Sequence, residues 1–237
     1  MKTIGIIGAM AEEVELLASR LTEHETRQHA GFIFHTGSLH DVKVIILQSG
    51  IGKVNAAVGT SQLLDKYQPE AIINTGSAGG FGEDLAIGDV VISSEVRHHD
   101  VDVVAFGYDY GQVPRMPAAY LPDPRLVQAA RECSKRLDEL RIVEGLIATG
   151  DSFMSCPESV KKTRERFPAM LAAEMEAAAI AQTCHLYDCP FVVIRALSDI
   201  AGQESDLSFA QFIDQAATHS AALVDAMVKH LGTSSTN

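Results

Sequence analysis

The chain reads Phe191-Val192-Val193-Ile194-Arg195-Ala196-Leu197-Ser198-Asp199 toward its C-terminal end. Its first four residues are all apolar, with no alternation between apolar and polar positions. Strands of this type are usually covered on both faces by other elements of the fold. A similar stretch, Val42-Lys43-Val44-Ile45-Ile46-Leu47, lies earlier in the chain. Together the two stretches predict an α/β protein with a buried, mostly parallel sheet.

Strand-like and helix-like segments alternate along the whole sequence. The predicted strands are 3–8, 31–37, 42–48, 70–75, 89–96, 142–149, 170–173 and 190–197. The second and third form a hairpin around His40-Asp41. Helices are predicted at 53–67, at 124–139 after Asp123 as N-cap, and along an apolar stripe of about six turns from Phe209 to Leu231. We predict a three-layer αβα sandwich around a mixed, mostly parallel central sheet, in one domain of residues 1–237 with a polar tail at 232–237.

The charge balance and the cysteines limit the classes of partner. Lys plus Arg number 19 and Asp plus Glu number 31, which gives a net charge of −12 and argues against nucleic acids and anionic membranes as partners. No apolar run is long enough for a membrane span, and the N-terminus lacks a signal-peptide pattern. Cys133, Cys156, Cys184 and Cys189 have no zinc-binding spacing, so we expect reduced thiols in a cytoplasmic protein.

Small residues and carboxylates follow several predicted strands, at the edge of the sheet where α/β proteins bind ligands. Strand 3–8 is followed by Ala9-Met10-Ala11-Glu12-Glu13, and strand 70–75 by Gly76-Ser77-Ala78-Gly79-Gly80. Glu174-Met175-Glu176 follows strand 170–173, and Ser198-Asp199 follows strand 190–197. The glycines can form a simple tight turn, and each carboxylate can be a helix cap or an N-terminal charge. Their occurrence together favours a ligand site.

Three other motifs do not indicate their usual ligands. Gly50-Ile51-Gly52-Lys53 lacks the further residues of a phosphate-binding loop, and Gly5-x-x-Gly8 is not the dinucleotide fingerprint. His98-His99-Asp100 with Asp102 resembles a metal site, but alternate residues of a strand point to opposite faces. We therefore expect no metal and no cofactor.

Taken together, the motifs resemble one family from Met1 to about Leu231. They are Gly5-Ile6-Ile7-Gly8-Ala9-Met10-x-Glu12-Glu13, Ser49-Gly50-Ile51-Gly52-Lys53-Val54-Asn55-Ala56-Ala57, Asn74-Thr75-Gly76-Ser77-Ala78-Gly79-Gly80, Asp102-Val103-Val104-Ala105-Phe106-Gly107-Tyr108, Gly150-Asp151-Ser152-Phe153, Glu174-Met175-Glu176-Ala177 and Arg195-Ala196-Leu197-Ser198-Asp199. The chain resembles the 5′-methylthioadenosine/S-adenosylhomocysteine nucleosidases, which have the purine nucleoside phosphorylase-like fold. The resemblance implies irreversible hydrolysis of the bond between adenine and a 5′-thioribose.

The resemblance also implies a role for each site residue. Asp199 would protonate the leaving purine at N7, Glu13 would activate the attacking water, and Glu176 would hold the ribose hydroxyls. The backbone near Phe153 and Met154 would read the adenine edge. The other implied substrate-contacting residues are Met10, Ile51, Ser77, Gly79, Met175, Arg195, Ser198 and Phe209. The family forms homodimers, in which Val103, Phe106 and Tyr108 would reach the neighbouring site.

The chemistry of the reaction requires these residue types. Breaking an N-glycosidic bond places positive charge on the sugar and negative charge on the purine, so an acid is needed at the base and carboxylates at the sugar. A free aspartic acid has a pKa near ~3.9, and burial at a dry strand end would raise the pKa of Asp199.

Several alternatives remain at this point. Glu12 can replace Glu13 as the base, and Glu174 can replace Glu176 as the ribose ligand. A phosphorylase of the same fold would use phosphate as nucleophile, although the sequence offers few cations at strand ends. A hydrolase of futalosine-type nucleosides and a purine-binding sensor without catalysis are the other two candidates.

Overall fold

The structure is a computed structural model that describes residues 1–203 and 205–233. It confirms the predicted α/β fold with a mixed central sheet. The strands are β1 (Thr3–Gly8), β2 (Thr22–His29), β3 (Phe32–Leu39), β4 (Val42–Gln48), β5 (Ala71–Gly80), β6 (Val90–His98), β7 (Ile142–Thr149), β8 (Met170–Glu174) and β9 (Phe191–Ile200).

Helices cover both faces of this sheet. They are α1 (Ala11–Ala18), α2 (Lys53–Tyr67), α3 (Pro124–Ser134), α4 (Pro157–Arg166), α5 (Ala177–Leu186) and α6 (Ser205–Thr233). Apolar side chains of α1, α3 and α6 form one core with β1 and β9. Those of α2 and α5 form a second core with β3 and β4 on the other face. Apolar residues on both faces of the strands are buried by this arrangement, as the sequence predicts.

The sheet combines an open part with a closed part. The strand order is β2-β3-β4-β1-β5-β8-β7-β6-β9, and β9 also pairs with β5, so β5, β8, β7, β6 and β9 form a closed ring. Among the described strands, five pairings are parallel and four are antiparallel. The ring was not part of the prediction, because strand order and closure depend on contacts between distant segments.

Two strands extend further than predicted, and this changes how the site is built. Residues 76–80 belong to β5, and Asp199 lies within β9 rather than after it. Gly79 and Gly80 pair with Ala173 and Ala172 of β8, which indicates that the small residues permit close approach of neighbouring strands. The predicted end of this strand at residue 75 is therefore wrong, although residues 76–80 still reach the site.

Other boundaries differ for local reasons. β2 was missed because all of its residues, Thr22–His29, are exposed and lack an apolar alternation. Helix α3 ends at Ser134 instead of 139, and α6 runs for 29 residues, about eight turns. Gly232 and Thr233, predicted as tail, are the last residues of α6, while 234–237 lie outside the described residues. The predicted hairpin joins β3 to β4 through His40 and Asp41, which both have positive φ.

Candidate active site

A cavity of about 360 Å³ lies beside the carboxyl ends of β1, β8 and β9 and the last residues of β5. Most of the predicted site residues line it. They are Met10, Glu13, Ile51, Ser77, Gly79, Phe153, Met175, Glu176, Ser198, Asp199 and Phe209. Residues from seven separate parts of the sequence thus converge on one space.

Glu13 is fixed at this cavity by four hydrogen-bond donors. It lies in the first turn of α1, two residues beyond the start of the helix, and is 2% exposed. The backbone N–H groups of Ala9 (2.7 Å) and Met10 (3.2 Å) donate to its Oε2. The N–H (2.9 Å) and hydroxyl (3.0 Å) of Ser77 donate to its Oε1. Glu12 is exposed on the same helix, so the geometry favours Glu13 over Glu12 as the site carboxylate.

Gly76 makes room for this arrangement. A Cβ added there would come within 2.2 Å of a guanidinium nitrogen of Arg195 and 2.7 Å of Glu13 Oε1. Its φ of +152° is also one that residues with a side chain rarely adopt. Glycine is therefore required both for the backbone conformation and for the space between two buried charged side chains.

Arg195 lies behind the cavity and carries the only positive charge among the buried charged residues of the described chain. One of its terminal nitrogens donates to Glu174 Oε2 at 2.5 Å and to Asn74 Oδ1 at 2.9 Å. The same nitrogen is 3.6 Å from Glu176 Oε2. Burial lowers the pKa of Arg195, and Glu174, Glu176 and Glu13 more than offset this, so the pKa is raised overall. The guanidinium thus stays charged and neutralises carboxylates of the site.

Glu174 and Glu176 have different environments although they are two residues apart. Glu174, the last residue of β8, accepts from the N–H groups of Glu176 (2.9 Å) and Ala177 (2.8 Å) and from the Thr149 hydroxyl. Its hydrogen bonds are therefore used to join β8, α5 and Arg195. The position of Glu176 leaves it as the better candidate for contact with a ligand.

Glu176 is the N-cap residue of α5 and is buried at the cavity wall. Its Oε1 accepts a hydrogen bond from Gly52 N at 2.8 Å. Burial, followed by the nearby charge of Glu174, raises the pKa of Glu176 to about 8, against the opposing effects of Arg195 and the Gly52 N–H. These surroundings therefore favour the protonated form of Glu176 more than those of an ordinary glutamate.

Asp199 has a different partner set on β9. It is 2% exposed, and the Ser198 hydroxyl donates to its Oδ1 at 2.9 Å. Burial raises the pKa of Asp199, although hydrogen bonds from Ser198 and Ser205 act in the opposite direction. A carboxyl group whose protonated form is favoured in this way is suited to act as an acid.

The remaining cavity wall is largely apolar. Phe153 and Phe209 meet in an edge-to-face arrangement with 5.8 Å between ring centroids. Met10, Ile51 and Met175 also line the cavity. An apolar cavity with a few convergent polar groups is typical of sites that bind small organic molecules.

Some predicted residues lie elsewhere. Arg195 is buried behind the carboxylates. The Met154 side chain packs in a core with Phe81 and Leu146 beside the site, and its carbonyl oxygen accepts from Gly202 N at 3.1 Å. Val103, Phe106 and Tyr108 do not line the cavity, and Phe106, the last residue of a short 3₁₀ turn, is 81% exposed.

Sequence reasoning missed Asp206, Asn74 and Thr149. Asp206 lines the cavity and lies three residues before Phe209 on α6, so the helical spacing could have indicated it. Asn74 and Thr149 are buried polar residues in apolar strands, which is a signal for a fixed hydrogen-bonding role.

A larger depression, of about 630 Å³, lies near the start of β9 but offers less chemistry. Of its charged side chains, Arg131 and Glu144 are paired with each other and Asp123 is paired with Arg125, while Asp188 also lines it. Within the described residues, no group of three or more His, Cys, Asp or Glu side chains is arranged to hold a metal ion. The smaller cavity is therefore the candidate active site.

Comparison with known proteins identifies close relatives. The sequence model of the phosphorylase superfamily matches residues 3–229. A 5′-methylthioadenosine/S-adenosylhomocysteine nucleosidase from Chromohalobacter salexigens is 74% identical over 235 residues, covering 99% of this chain and 100% of the relative.

Solved structures of such nucleosidases superpose closely on this chain. The enzyme from Colwellia psychrerythraea, in complex with adenine, is 51% identical, with a TM-score of 0.95 and coverage of 97% of this chain and 96% of that one. The enzyme from Neisseria meningitidis, in complex with methylthio-immucillin-A, is 45% identical, with a TM-score of 0.96 and coverage of 97% and 100%. Among residues 1–203 and 205–233, none of the helices has both the length and the apolar composition needed to cross a bilayer.

Proposed function

The chain belongs to the phosphorylase superfamily, and we propose that it hydrolyses the N-glycosidic bond of 5′-methylthioadenosine and S-adenosylhomocysteine. The products are adenine and the corresponding thioribose. The observation that carries this proposal is the convergence of Glu13, Glu176 and Asp199, from three different elements, on one apolar cavity. The high identity to nucleosidases over nearly the full chain supports the same conclusion.

Asp199 is the acid in this proposal. As the bond to the sugar breaks, negative charge accumulates on the purine, and a proton delivered to N7 neutralises it. The burial that raises the pKa of Asp199 keeps this proton available, while Ser198 orients the carboxyl group through Oδ1. A positioned acid of this type contributes typically ~10²–10⁴-fold to the rate.

Glu13 and Ser77 are the groups that activate water. The Glu13 carboxylate accepts four hydrogen bonds, which fix both of its oxygens at the cavity wall. The Ser77 hydroxyl can rotate toward a water molecule, which frees an acceptor site on Oε1 for the proton of that water. Glu13 then takes the proton as the water attacks the anomeric carbon.

Glu176 holds the ribose hydroxyls and responds to the positive charge that forms on the sugar. The cation that develops on the sugar favours the ionised form of Glu176, whose pKa burial raises. The buried carboxylate then stabilises this cation strongly, because little water screens the interaction. Arg195 limits the negative charge of the Glu174–Glu176 pair before the substrate arrives. Met10, Ile51 and Phe209 provide apolar surface for the thioalkyl and purine groups, and the Phe153–Met154 backbone reads the adenine edge.

A phosphorylase mechanism fits this site poorly. Phosphate capture requires cations or several free N–H donors. The described cavity lining contains no lysine or arginine, and Arg195 is already bonded to Glu174, Asn74 and two backbone carbonyls. A water molecule, which carries no charge, is the nucleophile that this acidic cavity accommodates.

The experiment that tests the activity is an adenine-release assay on both nucleosides with purified protein. We expect adenine from each, in proportion to the amount of protein and to time. No adenine at any protein concentration, together with measurable adenine binding, would instead indicate a purine-binding sensor.

We further propose that the protein is a cytoplasmic homodimer in which Val103, Phe106 and Tyr108 reach the neighbouring site. Support comes from exposed apolar side chains, because Phe106 is 81% exposed and Val54 is 74% exposed. The hydrogen bond between Lys53 and Asp100 connects the segment that contains Val54 with the segment that leads to Phe106. Sedimentation should give twice the mass of the chain, and Phe106→Ser should weaken the association. A fully active wild-type monomer would contradict this proposal.

A further inference from the structure

Lys53 occupies a position that is unfavourable on local grounds. It is the first residue of α2, and a helix N-terminus carries a partial positive charge that repels cations. The preceding residue, Gly52, has a φ of +94° and provides no side-chain cap. A local rule broken in this way often marks a residue with a functional task.

Two carboxylates compensate for this position. Lys53 Nζ lies 2.8 Å from each Asp100 carboxylate oxygen and 3.5 Å from Asp151 Oδ2. The backbone N–H of Lys53 donates to Asp151 Oδ1 at 3.0 Å, which supplies the missing helix cap. The N–H of Asp151 in turn donates to Asp100 Oδ2 at 3.0 Å. We refer to Lys53, Asp100 and Asp151 as the loop clamp.

The loop clamp joins three separate parts of the active-site edge. Lys53 follows the segment 49–52 after β4, Asp100 lies two residues after β6, and Asp151 lies two residues after β7. All three segments come from carboxyl ends of strands. Their mutual hydrogen bonds therefore fix the spacing of loops that no regular secondary structure connects.

Gly52 connects the loop clamp to Glu176, the carboxylate proposed to bind ribose. Gly52, directly before Lys53, donates its N–H to Glu176 Oε1 at 2.8 Å. The next residue back, Ile51, lines the cavity. Because Gly52 has a left-handed conformation and lacks a side chain, its position depends on what holds its neighbours. Lys53 is the neighbour that bonds to both Asp100 and Asp151, which lie in two other loops.

We propose that Lys53, through Asp100 and Asp151, is a positioning residue for the reaction. It holds segment 50–52 so that the Gly52 N–H keeps Glu176 directed at the ribose hydroxyls. The inference rests on the proposed function, because it assumes that Glu176 binds the ribose. It also gives a role to Gly50-x-Gly52-Lys53 and to Asp100, two features that the reaction itself does not explain.

The test compares Lys53→Met with wild type, using steady-state kinetics on 5′-methylthioadenosine. Removing the cation leaves the Asp100 and Asp151 carboxylates facing each other, so the loops should separate. We expect kcat/KM to fall about tenfold to a hundredfold, the effect of weakening one hydrogen bond to a charged group. Lys162→Met is the matched control, because Lys162 forms an exposed 2.8 Å ion pair with Glu158 on α4. The control should be within twofold of wild type.

Two further measurements separate positioning from general loss of structure. Lys53→Arg retains a cation and should recover most of the lost activity. The 3′-deoxy analogue of 5′-methylthioadenosine lacks a hydroxyl that Glu176 would hold, so Lys53→Met should reduce its turnover much less than that of the parent compound.

A second variant keeps the inference testable if Lys53→Met fails to fold. Asp100→Asn should also lower kcat/KM. The double variant, Lys53→Met with Asp100→Asn, should have a kcat/KM no lower than that of the less active single variant, because both substitutions act through one clamp.

The outcomes are distinct. Activity of Lys53→Met within twofold of wild type, or an equal loss with both substrates, would overturn the inference while leaving the proposed function intact. Absence of turnover in the wild type would overturn the proposed function and the inference with it.

Discussion

Glu176→Gln should make the stability of the folded protein fall less as the pH rises, because the variant removes a buried carboxyl group whose pKa is raised. Glu176 is 5% exposed, and burial and Glu174 raise its pKa from 4.5 to about 8. A group with a raised pKa binds more protons in the folded than in the unfolded protein between these two values. The folded state therefore loses stability as the pH rises from about 4.5 to about 8. Glutamine resembles the protonated side chain and never ionises, so it removes this loss.

The size of the effect follows from the same two values. A tenfold change in proton affinity corresponds to about 1.4 kcal/mol, so the rise from 4.5 to about 8 sets a ceiling of about 5 kcal/mol. Because the lowest assay pH, about 5.5, lies about one unit above the lower of these values, we expect about 3 kcal/mol of this effect to develop across the assay. For a chain of 237 residues this corresponds to roughly 5–10 °C in melting temperature.

The assay is thermal unfolding of wild type and Glu176→Gln at several pH values from about 5.5 to about 9. This range covers most of the interval between the unfolded-state and folded-state pKa values of Glu176. The difference between the proteins should be small at the acid end and should grow in favour of the variant toward the alkaline end. Glu158→Gln is the control, because Glu158 is exposed and should show no such trend. A constant difference across the range would refute the reasoning.

The remaining predictions concern catalysis. Asp199→Asn should lower kcat by ~10²–10⁴-fold and retain adenine binding, because Asn keeps the shape and loses the acidic proton; wild-type turnover would remove Asp199 from its role. Glu13→Gln should cause a similar loss, since an amide cannot accept from all four donors and cannot take a proton from water. A normal kcat in that variant, measured by adenine release, would assign the base to another residue. Incubation with EDTA should leave activity unchanged, and a loss that added metal reverses would contradict the proposed mechanism.

Most buried strands and the helices α2, α3 and α6 were readable from the sequence because their patterns are local, whereas no bounds were predicted for α1, α4 and α5. β1, β4, β7 and α2 have the predicted limits. β2 escaped prediction because its residues are all exposed and its stability comes from pairing with β3. The predicted strand 70–75 ends too early because glycine suits both turns and close strand pairs. Closure of the ring through β5 and β9 depends on pairs about 120 residues apart, which a local pattern does not encode.

The candidate site residues came largely from the motifs, whereas their connections came from the structure. The sequence brings Glu13, Glu176 and Asp199 to one edge but does not show that Arg195 lies behind them. Nor does it show that Glu174 is engaged with Thr149 and the start of α5. These side-chain contacts join residues far apart in the chain. They depend on strand order and register, which single-sequence reasoning does not supply.

The most direct test of the central claim is chromatography of the products formed from 5′-methylthioadenosine, with and without inorganic phosphate. We expect adenine and free methylthioribose in both conditions, at rates that phosphate does not change, because the acidic cavity admits water as the nucleophile. Methylthioribose 1-phosphate formed only when phosphate is present would contradict the hydrolytic mechanism and remove the water-activating role of Glu13.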